Sequence, residues 1–477
     1  MDPVPGPPYC LPCPGIPPSR LPPPFSVHTQ QPITPLPTAL HGADSTGGST
    51  GHRPSRPRRP SAPSPPGGIT MRTKPLLAGA GALALATTLV GAPAQAHESP
   101  RPPRAHELAS GLVSPLSLDL GRRGDVYVTQ NFAGALSKVD RRGTVTDVHR
   151  GNLAELAGVA YDRGATYHVE TNAPEGGTPT SHVIKTARDG MRTVVSDDFM
   201  KYERDHNPDG DETYGFVRLR GTCAAQLDAF QDSLADLAGP GGGTPQFARY
   251  TGIEESHAYQ LEVDRGTIYV ADAAANAILK VNERTKRIST VAVIPATPVR
   301  FTAAMETYLE ETIEGALQQQ GQERDIDMPD CLVGQRYVPE PVPTDVVKGG
   351  RGELFVSTLG GGVGEATAQS KVYRIEQRRG PDRVTTVARG LFGATGLDRA
   401  PNGDLYVAEM FGGEISRLKA HDVRHAHHGH TAKAWTVVKA ETPADVKVSG
   451  HHLYATIKAL SPTGGDLVRY DLKNRRP

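Results

Sequence analysis

The side chains in this chain that could do chemistry fall at recurring positions. Asp345, Thr395 and Asp445 each open a short apolar segment, and Glu254, Glu255 and His257 stand just before another. Asn131, Glu170, Asp272 and Glu409 close a second kind of segment, rich in β-branched and aromatic residues. Oxygen donors meeting from several such segments would suit Ca²⁺, which takes about six to eight oxygen ligands. The same groups would serve as a base for lactone or ester hydrolysis. The plainer role is structural, since an Asp at a strand start commonly caps a turn and stays solvated.

Other clusters read more simply. Asn207-Pro208-Asp209-Gly210-Asp211-Glu212 resembles part of a calcium loop. It lacks the alternating ligands and closing Glu of an EF-hand, so it reads as a turn. His421, His425, His427, His428 and His430 are of a type that chelates Zn²⁺ or Cu²⁺, but a solvated loop is the simpler reading. The lone Trp435 reads as core of an outer strand. No nucleophile elbow, zinc-protease helix, phosphate loop or dinucleotide fingerprint occurs. Catalytic residues are therefore unassigned, and no cofactor is implied beyond the Ca²⁺ option.

These residues must be positioned by a repeat. Gly124-Asp125-Val126-Tyr127-Val128 returns as Gly266-Thr267-Ile268-Tyr269-Val270, Gly352-Glu353-Leu354-Phe355-Val356 and Gly403-Asp404-Leu405-Tyr406-Val407. Looser copies begin at Gly164 and Gly450. A turn glycine before such a run reads as a hairpin entering a strand. An apolar strand precedes each copy. A third strand follows with a cation mostly between apolar residues (Lys138, Lys185, Lys280, Arg374, Arg417, Arg469), placing the cation opposite the buried face. A fourth is rich in Thr and Val. Four antiparallel strands per unit is a propeller blade. The expectation is an all-β fold: a six-bladed β-propeller with two helical insertions, near 198–250 and 302–336. Ala224, Leu227, Phe230, Leu234 and Leu237 fall on one helix face, and Met305, Leu309, Ile313 and Leu317 on another. The last unit lacks room for a fourth strand, so the segment near 105–112 should close the ring.

Charge and composition divide the chain. Its 477 residues balance to zero net charge, but residues 1–96 hold seven Lys/Arg and two acids, leaving a mildly acidic body. Such a body offers no footprint for nucleic acid. Residues 1–70 are Pro-rich and short of aliphatic residues, as in a disordered segment. Met71-Arg72-Thr73-Lys74, the apolar run Leu76–Val90 and Ala94-Gln95-Ala96 have the three parts of a secretory signal peptide. Translation is expected to start at Met71, with cleavage after Ala96, leaving an exported domain over 97–477. No second apolar span follows to hold the product in a membrane. Cys10 and Cys13 then carry no motif, and Cys223 and Cys331 are expected to pair as a disulfide, as an even pair does in an oxidising compartment.

Pro343-Thr344-Asp345-Val346 leading into Gly352–Leu359, then Ala394-Thr395-Gly396-Leu397 and Tyr406–Ser416, resemble the ScyD/ScyE family of exported bacterial proteins over about residues 105–472. The resemblance implies a six-bladed TolB-like propeller and no defined reaction. The segment Tyr202–Asn207 and the His-rich loop fall outside the pattern. Two functions follow. One is a secreted binding or scaffold protein recognising a small molecule, glycan or protein on its channel face through Glu254, His257, Asp345, Thr395, Glu409 and Asp445. The alternative is a metal-dependent, gluconolactonase-like hydrolase. Intact mass of the product exported by the native host checks the first step. It should begin near His97, and a product retaining residues 1–70 would remove the case for export.

Overall fold

The computed structural model describes residues 103–472, except 175–176, 239–244, 320, 351, 379–381 and 428. The Pro-rich segment, the signal peptide with Ala96, Cys10, Cys13 and His428 lie outside the described residues. The six signature glycines explain where the strands turn. Gly124, Gly164, Gly266, Gly352, Gly403 and Gly450 all have φ between 61° and 98°, where a side chain would be strained. Each turn joins an inner strand to the signature strand antiparallel to it.

Among the described residues six four-stranded antiparallel sheets result, together with two two-stranded ones. The inner strands are Ser117–Leu120, Glu155–Asp162, Ala258–Asp264, Pro343–Lys348, Ala394–Arg399 and Asp445–Ser449. Each contacts the next, and the sixth contacts the first. The chain is a β-propeller. The outer strand of the sixth sheet is the N-terminal strand Ala105–Leu112, paired antiparallel with Gly465–Asp471 from Ala105↔Tyr470 to Leu112↔Gly465.

Six apolar clusters fill the gaps between successive sheets, and one of them joins the sixth sheet to the first. Both faces are therefore largely covered along the first three strands of every sheet. This corrects the expected setting of the third-strand cations. In all six sheets the cation is the cross-strand partner of the signature aromatic, as in Tyr127↔Lys138, Tyr167↔Lys185 and Phe355↔Arg374. Cation and aromatic thus share a face, and that face packs on a neighbouring sheet, so the cations are half-buried. Lys185 Nζ stands 5.3 Å from the Tyr167 ring centre and bonds Glu283 at 2.5 Å, which keeps its charge partnered.

Among the described residues three helices are eight residues or longer: α1 (Phe199–His206), α2 (Gly221–Ala238) and α3 (Ala303–Gln319). Leu227 and Leu234 of α2 meet Met305, Leu309, Ile313 and Leu317 of α3 in a core of their own with Phe216, Phe247 and Phe301. Cys223 and Cys331 form a disulfide with Cα atoms 5.9 Å apart. It ties α2 to the turn Asp330–Leu332. Among the described residues no helix is long and apolar enough to cross a membrane. The helical core is small beside the sheets, so the bridge should matter most there. Cys331→Ser should cost about 2–4 kcal/mol in calorimetry and open α2 to protease first. Cleavage within the sheets at the same rate as within α2 would contradict this.

Candidate functional site

The candidates that open the inner strands turn inward on the scaffold. Asp345 Oδ2 accepts the Leu397 N–H of the next sheet at 2.7 Å, and Asp445 Oδ2 accepts that of Leu118 at 2.7 Å. Two carboxylates not singled out in the sequence do the same. Asp398 Oδ2 accepts from Val448 N–H and Asp119 Oδ2 from Tyr161 N–H, each at 2.6 Å. The Lys447 ammonium stands among them, 3.8 Å from Asp345 and 3.9 Å from Asp445, and donates to the Leu397 carbonyl at 3.4 Å. Burial alone would lower its pKa. Asp445, Asp345, Asp398 and Asp119 outweigh that and hold it well above lysine's ordinary value. Burial also pushes Asp119 up to about 6 and Glu262 up to about 7, and raises Asp345, Asp398 and Asp445, with the Lys447 charge opposing it each time. Gln260 Nε2 reaches Ser117 Oγ at 2.8 Å and Asp445 Oδ2 at 3.3 Å, joining the third sheet to the first and sixth across the axis.

Thr395 and Glu409 are engaged in the same way. Thr395 Oγ1 donates to the Ala444 carbonyl at 2.8 Å, and Glu409 Oε2 accepts the Phe392 N–H at 2.8 Å. Glu170 is taken by His168 Nε2 at 2.9 Å, His149 Nε2 at 3.2 Å and Arg192. Glu254 is exposed.

The remaining candidates meet at the end of the channel where the inner strands open. His257 Nε2 lies 2.8 Å from Glu155 Oε2. Glu155 Oε1 accepts from Asn131 Nδ2 at 2.9 Å, and Asn131 Oδ1 accepts from the Thr129 hydroxyl at 2.7 Å. The His257 N–H donates to Asp272 Oδ1 at 2.7 Å, and the Ser256 hydroxyl donates to Asp272 Oδ2 at 2.6 Å. Burial pushes Glu155 up, but the His257 charge and the hydrogen bonds from His257 and Asn131 outweigh it and hold its carboxyl below the usual range. His257 is 31% exposed at its side chain against 11% for Glu155, so the imidazole is the member that meets solution. Its ring lies 5.6 Å from that of Tyr259, edge on. Tyr259 packs in turn with Leu116, Met410, Phe411, Ala444, Ala459 and Leu460, contributed by the ends of other sheets. The arrangement is a largely buried apolar cluster with one hydrogen-bonded His–Glu pair beside it.

Glu203 carries no signal in the sequence except its spacing from Phe199, with which it forms the buried face of α1. It is 1% exposed, and neither carboxyl oxygen has a hydrogen-bond partner. Burial, then the nearby Asp272, Asp209, Glu254 and Glu255, push it up to about 9. The histidine group differs from the expected loop: His421 and His425 lie on a short helix, Ala420–His425, with rings 4.4 Å apart. Trp435 is not core. It is 45% exposed, with Lys433 Nζ 4.2 Å and Lys419 Nζ 5.1 Å from its ring, because it sits on the outermost strand, which has no further sheet to pack on. A cleft of about 470 Å³ beside α2, lined by Gln226, Phe230, Met328 and Pro329 among others, shares none of these groups.

No protein-family profile matches the chain, and no curated protein matches its sequence. Among solved structures, a virginiamycin B lyase from Staphylococcus aureus is 13% identical, with 77% of this chain and 98% of that one covered and a TM-score of 0.40. The PQQ-bound aldose sugar dehydrogenase from Streptomyces coelicolor is 11% identical, with 78% and 99% covered and a TM-score of 0.38. A chain of a nidogen–laminin complex is 10% identical, with 74% and 90% covered and a TM-score of 0.40. Likenesses at this level assign no activity, and the architecture rests on the strand pairing itself.

Replacing Lys447 by Met should test the axial charge. Carboxyls whose folded pKa is raised stabilise the fold fully below their unfolded pKa, near 4, and that contribution is lost as pH rises through the folded values. Loss of Lys447 raises those values further, so the variant should be weakest above about pH 7, by roughly 3 kcal/mol or more. The deficit should shrink toward about pH 4. A deficit constant across denaturation curves at these pH values would contradict the assignment.

Proposed function

We propose that this chain is an exported, six-bladed propeller of the ScyD/ScyE kind, with α1–α2 and α3 as helical insertions between blades. Its role is binding, and its ligand seats at the channel mouth. The observation that carries this reading is the division of labour among the polar side chains. Asp345, Thr395, Asp445 and Glu409 are engaged within the scaffold, whereas His257 is half-open beside Tyr259 and the apolar cluster. A surface of that kind suits a small, flat, largely apolar molecule with one polar group for the imidazole. Burying an aromatic face on Tyr259 and Phe411 supplies affinity, and the polar group fixes orientation.

The second reading is hydrolysis of a lactone or ester at the same mouth. What favours it is the His257–Glu155 contact of 2.8 Å, since a carboxylate held to one imidazole nitrogen orients the ring as a general base.

One set of proteins separates the two. The wild type, Phe411→Ser and His257→Ala are titrated with the fluorescent apolar anion 8-anilinonaphthalene-1-sulfonate and assayed with p-nitrophenyl butyrate. Binding at the mouth predicts saturable fluorescence that weakens about tenfold in Phe411→Ser, the loss of one ring's burial. It also predicts no turnover. Turnover abolished by His257→Ala would establish the second reading. Fluorescence unchanged by Phe411→Ser, with no turnover, would sink both.

A further inference from the structure

The geometry points to a calcium site at the C-terminal end of α1, built from Glu203, Asn207 and Asp209 and separate from the channel mouth. All three come from one short stretch. Four of their side-chain oxygens are buried without any hydrogen-bond donor: both of Glu203, Oδ1 of Asn207 and Oδ1 of Asp209. Glu203 and Asp209 are each 1% exposed, so water does not stand in for the missing partners at the surface.

Asn207 and Asp209 are each held through one side-chain atom and leave one oxygen unpartnered, while Glu203 leaves both. Asn207 ends α1 in the left-handed conformation, with its N–H on the Glu203 carbonyl. Its Nδ2 donates to the Gly252 carbonyl at 3.1 Å, which assigns the unpartnered atom as oxygen. Asp209 Oδ2 accepts from the Tyr214 hydroxyl at 2.8 Å and from Asn276 Nδ2 at 2.9 Å, leaving Oδ1. Gly252 presses on that carboxylate so closely that a Cβ there would lie 2.1 Å from Asp209 Oδ1. The charged groups acting most on Glu203 are all acids: Asp272, Asp209, Glu254 and Glu255. Buried acceptors without donors, in a field of like charge, are costly unless a cation or a proton sits among them.

The donor set selects the ion. Only oxygen is offered, from carboxylate and amide, which suits a hard cation and not Zn²⁺ or Cu²⁺. Among the described residues no three His, Cys, Asp or Glu side chains form a ready cage. The site relies instead on two carboxylates and one amide, with main-chain carbonyls and water completing the shell. Ca²⁺ accepts such an irregular, partly hydrated shell, whereas Mg²⁺ demands a near-octahedral one. Bound there, the ion would fasten α1 to the segment that runs from Gly252 to His257.

The test uses the whole exported chain, freed of metal by chelation. Equilibrium dialysis against radioactive Ca²⁺ should show one ion per chain, with a dissociation constant in the range of about 10⁻⁶ to 10⁻³ M. Saturating Ca²⁺ should raise the melting temperature by several degrees. Both effects should vanish in Glu203→Gln and in Asp209→Asn. Glu203→Gln keeps the shape and removes the charge, so without Ca²⁺ it should melt no lower than the chelated wild type, which separates a lost site from a lost fold. No bound ion at millimolar Ca²⁺, or an unchanged stoichiometry in Glu203→Gln, would overturn the proposal and leave Glu203 as a buried, protonated carboxyl.

Discussion

The interaction on which the rest of this structure depends is the meeting of Lys447 with the aspartates of the inner strands. Asp119, Asp345, Asp398 and Asp445 each hold the backbone of the following sheet by a short hydrogen bond, and Lys447 supplies the positive charge that lets them stay close together. Inner strands in a ring have no hydrogen-bonding partner on the channel side, so their N–H groups must be satisfied by side chains or water. Carboxylates do this with charge-assisted bonds. Their mutual repulsion is the constraint, and one buried ammonium relieves it.

That arrangement decides where chemistry is left over. Side chains at the axis are occupied, and Gln260 crosses the channel to reach Ser117 and Asp445. What remains is the apolar cluster at the strand ends, with His257 partly exposed beside it. There the ends of sheets bring together residues as far apart in the chain as Leu116, Tyr259, Phe411 and Leu460. The cluster is thus a by-product of closing the ring: it draws on the first, third, fifth and sixth sheets, and no single sheet holds it.

The sequence made the strands legible because a turn glycine with positive φ, followed by a β-branched and aromatic run, leaves few alternatives. The facing stripes of α2 and α3 were legible for a similar reason, since Leu227 and Leu234 recur at helical spacing and so do Met305 and Leu309. The cation positions were visible but misread. Alternation says which residues share a face, and only the ring shows that both faces are covered. Asp345 and Asp445 stood out as chemistry-bearing residues, yet their partners are backbone groups of other sheets, which no pattern in one segment reveals. Glu155 and Lys447 were hidden because each sits in an otherwise ordinary apolar strand. Trp435 was misplaced by composition alone, which ranks a Trp as core wherever it falls. Glu203 was hidden because an acid in a polar helix is unremarkable until its surroundings are known.

The pairing of Ala105–Leu112 with Gly465–Asp471 also orders events during synthesis. The first strand of the ring to be made is among the last to find its partner, because that partner is encoded at the far end of the chain. Until then the sixth sheet is incomplete and the cluster joining it to the first sheet cannot form. A ribosome-bound chain therefore holds an open arc with two unsatisfied edges. Contacts this distant in sequence form slowly, and the open arc is the form in which a chaperone has its opportunity to bind. Closure makes folding an end-to-end event: a chain truncated before Gly465 leaves its N-terminal strand without a neighbour.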